Sequence, residues 1–192
     1  EKTYTVEVGT KWNLAGERLL LSGALFSVDK TNARTPDPVD DTLTVLQGRL
    51  RVQGGELGAS GSITQRWKML AGYTFLDSRI LESNTPGEVG KRFQNTPRNS
   101  FNIWTTYSLL RKLDLGGGIR FVGRRFGNTT NTRWVDSYHT IDATASYPIT
   151  GRIDLRLNLY NLNNAYYFDR LGGGQIIPGP GRSVMLSTGF RF

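Results

Sequence analysis

The sequence predicts an all-β fold built from antiparallel, up-and-down strands of the kind that form a transmembrane β-barrel. Three observations support this fold class: apolar and polar residues alternate, short turns alternate with long loops, and aromatic residues fall at two depths. A period of two residues is typical of strands whose two faces meet different surroundings. No segment shows the 3.6-residue period of an amphipathic helix.

Nine strands follow from the alternation, which is clearest in the eighth. There Ile153, Leu155 and Leu157 face one way, whereas Asp154 and Arg156 face the other. In chain order the predicted strands span residues 3–11, 17–30, 43–64, 67–82, 98–109, 113–125, 137–147, 152–165 and 182–192.

The third predicted strand is unusually long, and its apolar residues change parity near a glycine pair, Gly54 and Gly55. Leu50 and Val52 lie in one register and Leu57 lies in the other. A β-bulge inserts one extra residue into a strand and shifts parity in this way. We therefore expect a bulge at the glycine pair.

The connections distinguish the two ends of the strands. Short turns at 13–16, 65–66, 110–112 and 148–151 alternate with long loops at 31–42, 83–97, 126–136 and 166–181. Outer-membrane barrels show this asymmetry, with short periplasmic turns and longer extracellular loops.

Alternation alone leaves two folds open: a soluble sandwich with its apolar face on a second sheet, or a barrel with that face in lipid. The aromatic residues favour the barrel, because they form two belts as at the two interfaces of a membrane. The belt at the short-turn ends comprises Trp12, Trp67, Tyr107, Tyr147 and Phe192, and the belt near the long loops comprises Tyr4, Phe26, Phe75, Phe101, Phe121 and Tyr138.

Composition excludes several classes of protein. The net charge of +8 is spread over the whole chain and mixed with acidic residues, which argues against a nucleic-acid partner. There is no cysteine, so a thiolate metal site is excluded. Ser137 shares the register of the single histidine, His139, but Asp142 does not, so a catalytic triad is not expected. We predict no enzyme activity, no protein-bound metal and no cofactor.

Nine is an odd number, whereas bacterial single-chain barrels have even numbers of strands. An open sheet in lipid would also leave unpaired backbone groups at its edges. We therefore expect the chain to be the C-terminal part of a larger barrel.

Several motifs, in this order and spacing, resemble the late barrel of TonB-dependent siderophore receptors. They are Tyr4–Trp12 (YTVEVGTKW), Ala24–Phe26, Lys30–Pro36 (KTNARTP), Arg51–Gly58 (RVQGGELG), Asn95–Trp104 (NTPRNSFNIW), Gly117–Val122 with Gly127–Thr130, Leu157–Tyr167 (LNLYNLNNAYY), Leu171–Pro180 (LGGGQIIPGP) and the terminal Phe-Arg-Phe. The resemblance covers residues 1–192, and the branch that takes up ferric catecholate siderophores is most similar.

The resemblance implies a 22-stranded barrel of the Gram-negative outer membrane, closed by an N-terminal plug domain that is absent from this chain. It implies active transport of a ferric siderophore, with the iron remaining wrapped in its siderophore. The expected partners are the siderophore, the plug and upstream strands, the TonB complex, the barrel-assembly machinery and outer-membrane lipid. A passive porin or a structural barrel without a plug is the alternative.

Charged and aromatic residues of the long loops are the candidate ligand contacts. Guanidinium groups and aromatic faces suit an anionic, planar ferric catecholate. The candidates are Arg34, Arg124, Arg125, Arg133, Trp134, Tyr166, Tyr167 and Arg170. The resemblance also implies that Phe192 is the recognition signal for barrel assembly, and Gly172–Gly174 is expected to form a tight extracellular loop.

Overall fold

The computed structural model describes residues 1–110, 112–172 and 175–191, and these form thirteen β-strands. Phe192 and two glycines of the predicted Gly172–Gly174 loop lie outside the described residues. The described part contains no helix with the length and apolarity needed to cross a bilayer. The strands are β1 (Lys2–Leu14), β2 (Leu19–Pro36), β3 (Thr44–Ser62), β4 (Trp67–Glu82), β5 (Asn99–Leu110), β6 (Leu113–Val122), β7 (Arg125–Phe126), β8 (Trp134–Val135), β9 (Tyr138–Pro148), β10 (Ile153–Tyr160), β11 (Phe168–Gly172), β12 (Gln175–Pro178) and β13 (Ser183–Phe190).

Nine strands form one sheet in the order β1-β2-β3-β4-β5-β6-β9-β10-β13, and every neighbouring pair is antiparallel. The predicted series of nine up-and-down strands is therefore confirmed. The remaining four strands form two small hairpins, β7 with β8 and β11 with β12, inside long loops. The sequence did not predict these hairpins.

Cross-strand register divides the sheet into an apolar face and a polar face. One row of directly paired residues crosses seven strands on the apolar face, through Trp12, Leu21, Ala59, Ala71, Ile103, Ile119 and Ile141. The neighbouring row lies on the polar face, through Lys11, Ser22, Gly58, Gly72, Asn102, Arg120 and Thr140. Because directly opposite residues share a face, each row is uniform in character.

The aromatic belts are placed largely as predicted. The described belt residues of the short-turn ends share the apolar face, as do Tyr4, Phe75, Phe101 and Phe121 near the long loops. Phe26 and Tyr138 lie on the polar face instead, so their assignment to the belt was wrong. Phe26 pairs with Gly54 and follows Leu25, which lies on the apolar face, so the Phe26 side chain lies on the opposite face.

The predicted bulge at Gly54 and Gly55 was wrong as well. Pairing runs through both glycines without a shift, and the irregularity falls between Arg49 and Leu50. A Cβ at Gly54 would collide with the Phe75 carbonyl oxygen and lie 2.7 Å from the Phe26 ring, so glycine here makes room for both. Leu50 lies on the polar face with Gly54, whereas Leu57 lies on the apolar face. The parity of the apolar residues therefore changes because β3 has apolar side chains on both faces, not because a residue is inserted.

Two predicted strands end earlier than their alternation suggested. β6 ends at Val122, although the Gly123 N–H still donates to the Asn99 carbonyl at 2.9 Å, and β7 begins at Arg125. A Cβ at Gly123 would lie 2.8 Å from that carbonyl oxygen, so glycine permits the close approach. β10 ends at Tyr160 because Asn161 adopts a φ of 51°, in the left-handed region that breaks a strand.

The most buried residues lie at the long-loop end of the sheet. They include Ala33, Thr35, Ser78, Ile80, Val122, Arg125, Val135, Tyr138, Thr140, Asn161, Tyr167 and Leu171. Apolar side chains in the middle of the sheet, such as Leu25, Leu57 and Ile103, are exposed. β2 continues to Pro36, so the first half of the loop predicted at 31–42 is strand. The long loops and the end of β2 are packed into an ordered layer, called here the loop cap (residues 31–43, 83–98, 123–137 and the described part of 161–182).

Replacing Gly118 with alanine is expected to destabilise the sheet. The new Cβ would collide with the Ile103 carbonyl oxygen and lie 2.6 Å from the Trp104 ring, which covers Gly118 on the polar face. Overpacking of this kind costs about 1–3 kcal/mol. Urea unfolding of the protein in detergent micelles, followed by tryptophan fluorescence, should show the loss.

The matched control is Gly117→Ala. Its Cβ would lie 3.5 Å from the nearest atom, the Asp142 carbonyl oxygen, which is an ordinary contact. An equal loss of unfolding free energy in both variants would contradict the steric account.

Candidate functional site

Arg125 connects three segments of the loop cap. Its guanidinium donates to the Asn95 side-chain oxygen at 3.1 Å, to the Asp169 carbonyl at 2.8 Å and to the Phe168 carbonyl. It also lies 5.7 Å from the centroid of the Tyr138 ring. Only 5% of Arg125 is exposed, so this predicted ligand residue is engaged within the protein.

Tyr167, another predicted contact, stacks on Tyr138 with ring centroids 4.2 Å apart. The pair packs on Val122, and all three residues are buried. Burial raises the pKa of the Tyr167 phenol, because the phenolate would lose its hydration. A Cβ at Gly179 would collide with the Tyr167 ring, which explains the glycine between two prolines in this loop.

The asparagines after β10 extend the sheet by side-chain hydrogen bonds. Asn163 donates to the His139 carbonyl at 3.0 Å and accepts from the Ile141 backbone N–H at 3.1 Å, as a strand residue would. Asn161 donates to the carbonyls of Ala165 and Pro180 and accepts from the Ala165 N–H. The motif Leu157–Tyr167 is therefore the end of a strand followed by a loop whose conformation is fixed by hydrogen bonds from Asn161 and Asn163.

Asn131 joins two other loops. Its side-chain oxygen accepts from the Arg92 N–H at 2.8 Å, and its side-chain nitrogen donates to the Arg92 carbonyl at 2.8 Å. Asn95 donates its own N–H to the Phe126 carbonyl at 2.7 Å. Asn95, Asn131 and Asn161 all have positive φ values, and asparagine tolerates this conformation better than other non-glycine residues. Sequence reasoning missed these positioning residues, although clustered asparagines are a turn signal.

Six predicted contacts remain exposed: Arg34, Arg124, Arg133, Trp134, Tyr166 and Arg170. Arg124 and Trp134 lie together, because the guanidinium carbon is 5.7 Å from the Trp134 ring centroid. Arg124 also forms an exposed ion pair with Asp136 at 3.3 Å. Tyr166 is 80% exposed and meets Phe168 edge to face.

The small β7–β8 hairpin places these groups. Arg125 pairs with Val135 on its buried face, and Phe126 pairs with Trp134 on the opposite face. One buried arginine thus holds the hairpin, while the other side presents Trp134 and Arg124. Arg34 lies on β2, four strands from β6 in the sheet order.

His139 pairs with Phe121 on the apolar face and is exposed. In the described part of the chain, no three His, Cys, Asp or Glu side chains are grouped to hold a metal ion.

Comparisons with known proteins identify the family. The family model described as TonB dependent receptor-like, beta-barrel, matches residues 1–162. The chain belongs to the TonB-dependent receptor family. The family is one of receptors rather than enzymes.

Named relatives of this TonB-dependent receptor chain include siderophore receptors. The probable TonB-dependent siderophore receptor PiuA of Acinetobacter baumannii is 34% identical over 203 residues, which cover 100% of this chain and 27% of PiuA. The PiuA crystal structure matches 98% of this chain and 28% of its own, with a TM-score of 0.92. The catecholate siderophore receptor Fiu of Escherichia coli is 30% identical over 199 residues, covering 100% of this chain and 26% of Fiu. The Fiu crystal structure matches with a TM-score of 0.86.

The predicted resemblance to TonB-dependent siderophore receptors is therefore confirmed. The chain spans about a quarter of the length of the curated relatives it matches.

Replacing Arg125 with methionine is expected to loosen the loop cap. Methionine keeps much of the bulk but leaves the Phe168 and Asp169 carbonyls without their charged donor, and such hydrogen bonds contribute about 1.5–3 kcal/mol. Amide hydrogen exchange at residues 165–171 should therefore accelerate about tenfold or more.

Arg124→Met is the control, because Arg124 is exposed and its one carboxylate partner is exposed too. Unchanged exchange in Arg125→Met would contradict the role assigned to Arg125.

Proposed function

We propose that the chain supplies barrel wall and extracellular loops to a TonB-dependent receptor that transports a ferric siderophore, of the catecholate type, across the outer membrane. The family match supports the receptor class. The names of PiuA and Fiu support a siderophore as the ligand, and the name of Fiu supports the catecholate type. The open sheet order from β1 to β13 is consistent with a segment of a larger barrel that a plug domain fills.

The observation that carries the ligand assignment is the exposed Arg124–Trp134 pair on a hairpin held by buried Arg125. A ferric catecholate is anionic and has flat aromatic rings. A guanidinium offers charge-assisted hydrogen bonds to its oxygens, and an indole offers a stacking surface. Because Arg125 already holds the hairpin in place, less conformational entropy is lost when a ligand binds Arg124 and Trp134.

The other exposed candidates extend this surface in the proposal. Arg133 continues the same hairpin loop, and Tyr166 and Arg170 lie in the loop that Arg125 contacts through Phe168 and Asp169. Arg34, on β2, is assigned to the same extracellular surface at a position farther along the sheet. The iron stays within its siderophore, so no protein ligand to the metal and no cofactor is proposed.

The remaining partners follow from the same proposal. The plug, the upstream strands and the TonB complex would gate uptake, driven from the inner membrane. Phe192 would present the last strand to the barrel-assembly machinery. The apolar face would contact the lipid of a Gram-negative outer membrane, because its exposed leucines and aromatics lie in the register that a lipid-facing surface requires.

Uptake of radioactive iron as a ferric catecholate tests the proposal. The full receptor containing this chain would be expressed in cells that lack other siderophore receptors. We expect TonB-dependent uptake, and a half-saturation concentration raised about tenfold in the double variant Arg124→Ala with Trp134→Ala, since lost charge-assisted and stacking contacts are worth more than 1 kcal/mol.

Arg66→Ala is the matched control, because Arg66 is an exposed arginine at the opposite, short-turn end of the sheet. Uptake that persists without TonB would favour the passive porin instead. TonB-dependent uptake restricted to a cobalamin or a sugar would contradict the siderophore assignment.

A further inference from the structure

Trp104 breaks the alternation of β5, because it places a large aromatic ring on the polar face. It pairs with Leu70 on β4 and with Gly118 on β6. A Cβ at Gly118 would lie 2.6 Å from the ring, and a Cβ at Gly116, one row nearer the short turns, would lie 3.3 Å from it. The two glycines therefore make room for a half-buried indole that lies along the sheet rather than projecting from it.

A hollow of about 360 Å³ adjoins this ring on the short-turn side. Directly paired residues of four strands line it in one row: Thr106, Gly116, Thr144 and Asn158. Their hydroxyl and amide groups make this surface polar, in contrast to the indole beside it. Small-molecule sites occupy about 300–1,000 Å³, so the hollow has room for one ring of a ligand.

Two cationic side chains, Lys68 and Arg156, border the hollow. In the part of the chain that the structure describes, neither has a carboxylate within ion-pair distance. Asp114, which also lines the hollow, accepts a hydrogen bond from the Ser108 hydroxyl at 2.6 Å. The charges of Lys68 and Arg156 therefore remain available to an anion, and a concave surface concentrates the field that attracts one.

A second hollow, of about 650 Å³, connects the polar face to the loop cap. It is lined by Asn95 and Arg125 of the loop cap and by Asn102 and Arg120 of the sheet. Arg120 and Gly116 are four residues apart on β6, or about 14 Å. The two hollows therefore follow one another along the polar face, from the long loops toward the short turns.

We propose that Trp104, Lys68 and Arg156 form a second binding site for an anionic aromatic ligand, which occupies it after leaving the loop cap. The indole stacks on a flat ring of the ligand, and the two cations bind its oxygens. This inference rests on the proposed function and adds a site on the polar face to the exposed Arg124–Trp134 pair. Transport through a pore is favoured by successive sites that bind weakly enough to release the ligand.

Uptake of radioactive iron(III) complexed by 2,3-dihydroxybenzoate, in cells that express the full receptor, tests this inference. We expect the maximal uptake rate to fall at least fivefold in Trp104→Ala and in the double variant Lys68→Gln with Arg156→Gln. The half-saturation concentration, and binding of the complex to de-energised cells, should stay within twofold of the native values because the loop cap is unchanged. Trp104→Phe should restore much of the rate, since it keeps an aromatic face.

Arg152→Gln is the matched control, because Arg152 is an exposed arginine of the short turn before β10 and lies outside the lining of the hollow. It should take up iron like the native receptor. A maximal rate that is unchanged in Trp104→Ala, or in the double variant, would overturn this inference while leaving the proposed function intact. A native receptor without TonB-dependent uptake of any ferric siderophore would overturn the proposed function, and this inference with it.

A single cysteine distinguishes the ligand from a carboxylate of the plug domain as the occupant of the hollow. The chain has no cysteine of its own, and Thr106→Cys places a thiol in the lining. In energised cells, the iron(III) complex should slow the reaction of this thiol with a small maleimide at least threefold, because bound ligand covers it. A reaction that the complex accelerates or leaves unchanged would assign the hollow to the plug and overturn the inference, even if Trp104→Ala failed to fold.

Discussion

Unbroken antiparallel register is the constraint on which the rest of this sheet depends. Because side chains alternate with a period of two, a slip of one residue in any strand would exchange its two faces. The row from Trp12 to Ile141 and the adjacent row from Lys11 to Thr140 keep their character across seven strands. Regular pairing also satisfies the backbone groups internally, as apolar surroundings demand.

Beyond the ends of the paired strands, side chains form hydrogen bonds to backbone groups that no neighbouring strand reaches. Beyond the backbone bond from the Leu162 N–H to the Ile141 carbonyl, Asn163 bonds to β9 through both its side-chain amide atoms. Arg125 satisfies carbonyls of the 161–182 loop that no strand reaches. The loop cap is therefore ordered by a few multivalent polar side chains, and its apolar core is small.

The periodic part of the fold could be predicted from the sequence because each strand carries its own alternation. The exceptions depend on contacts between distant residues. The apparent parity change near Gly54 arises because Leu50 and Leu57 lie on opposite faces, and the glycine itself makes room for neighbours on both adjacent strands, the Phe26 ring and the Phe75 carbonyl. Likewise, Arg124 and Arg125 are adjacent arginines at the start of the same loop, so the sequence predicts both as ligand contacts. It does not show that Arg125 is buried and Arg124 exposed.

The arginines at the long-loop end of the sheet differ in their surroundings, and these surroundings determine which of them could bind a ligand. The Nη1 and Nη2 groups of Arg125 are already engaged with protein oxygens, so an anion binding at those groups would first break those hydrogen bonds. Arg124 has most of its side chain in solvent and only an exposed carboxylate partner. Arg98 stacks on an aromatic ring at the edge of an apolar surface. Because exchanging water for a ligand costs less than breaking an existing internal hydrogen bond, the proposed contact to the siderophore belongs to Arg124 rather than to Arg125.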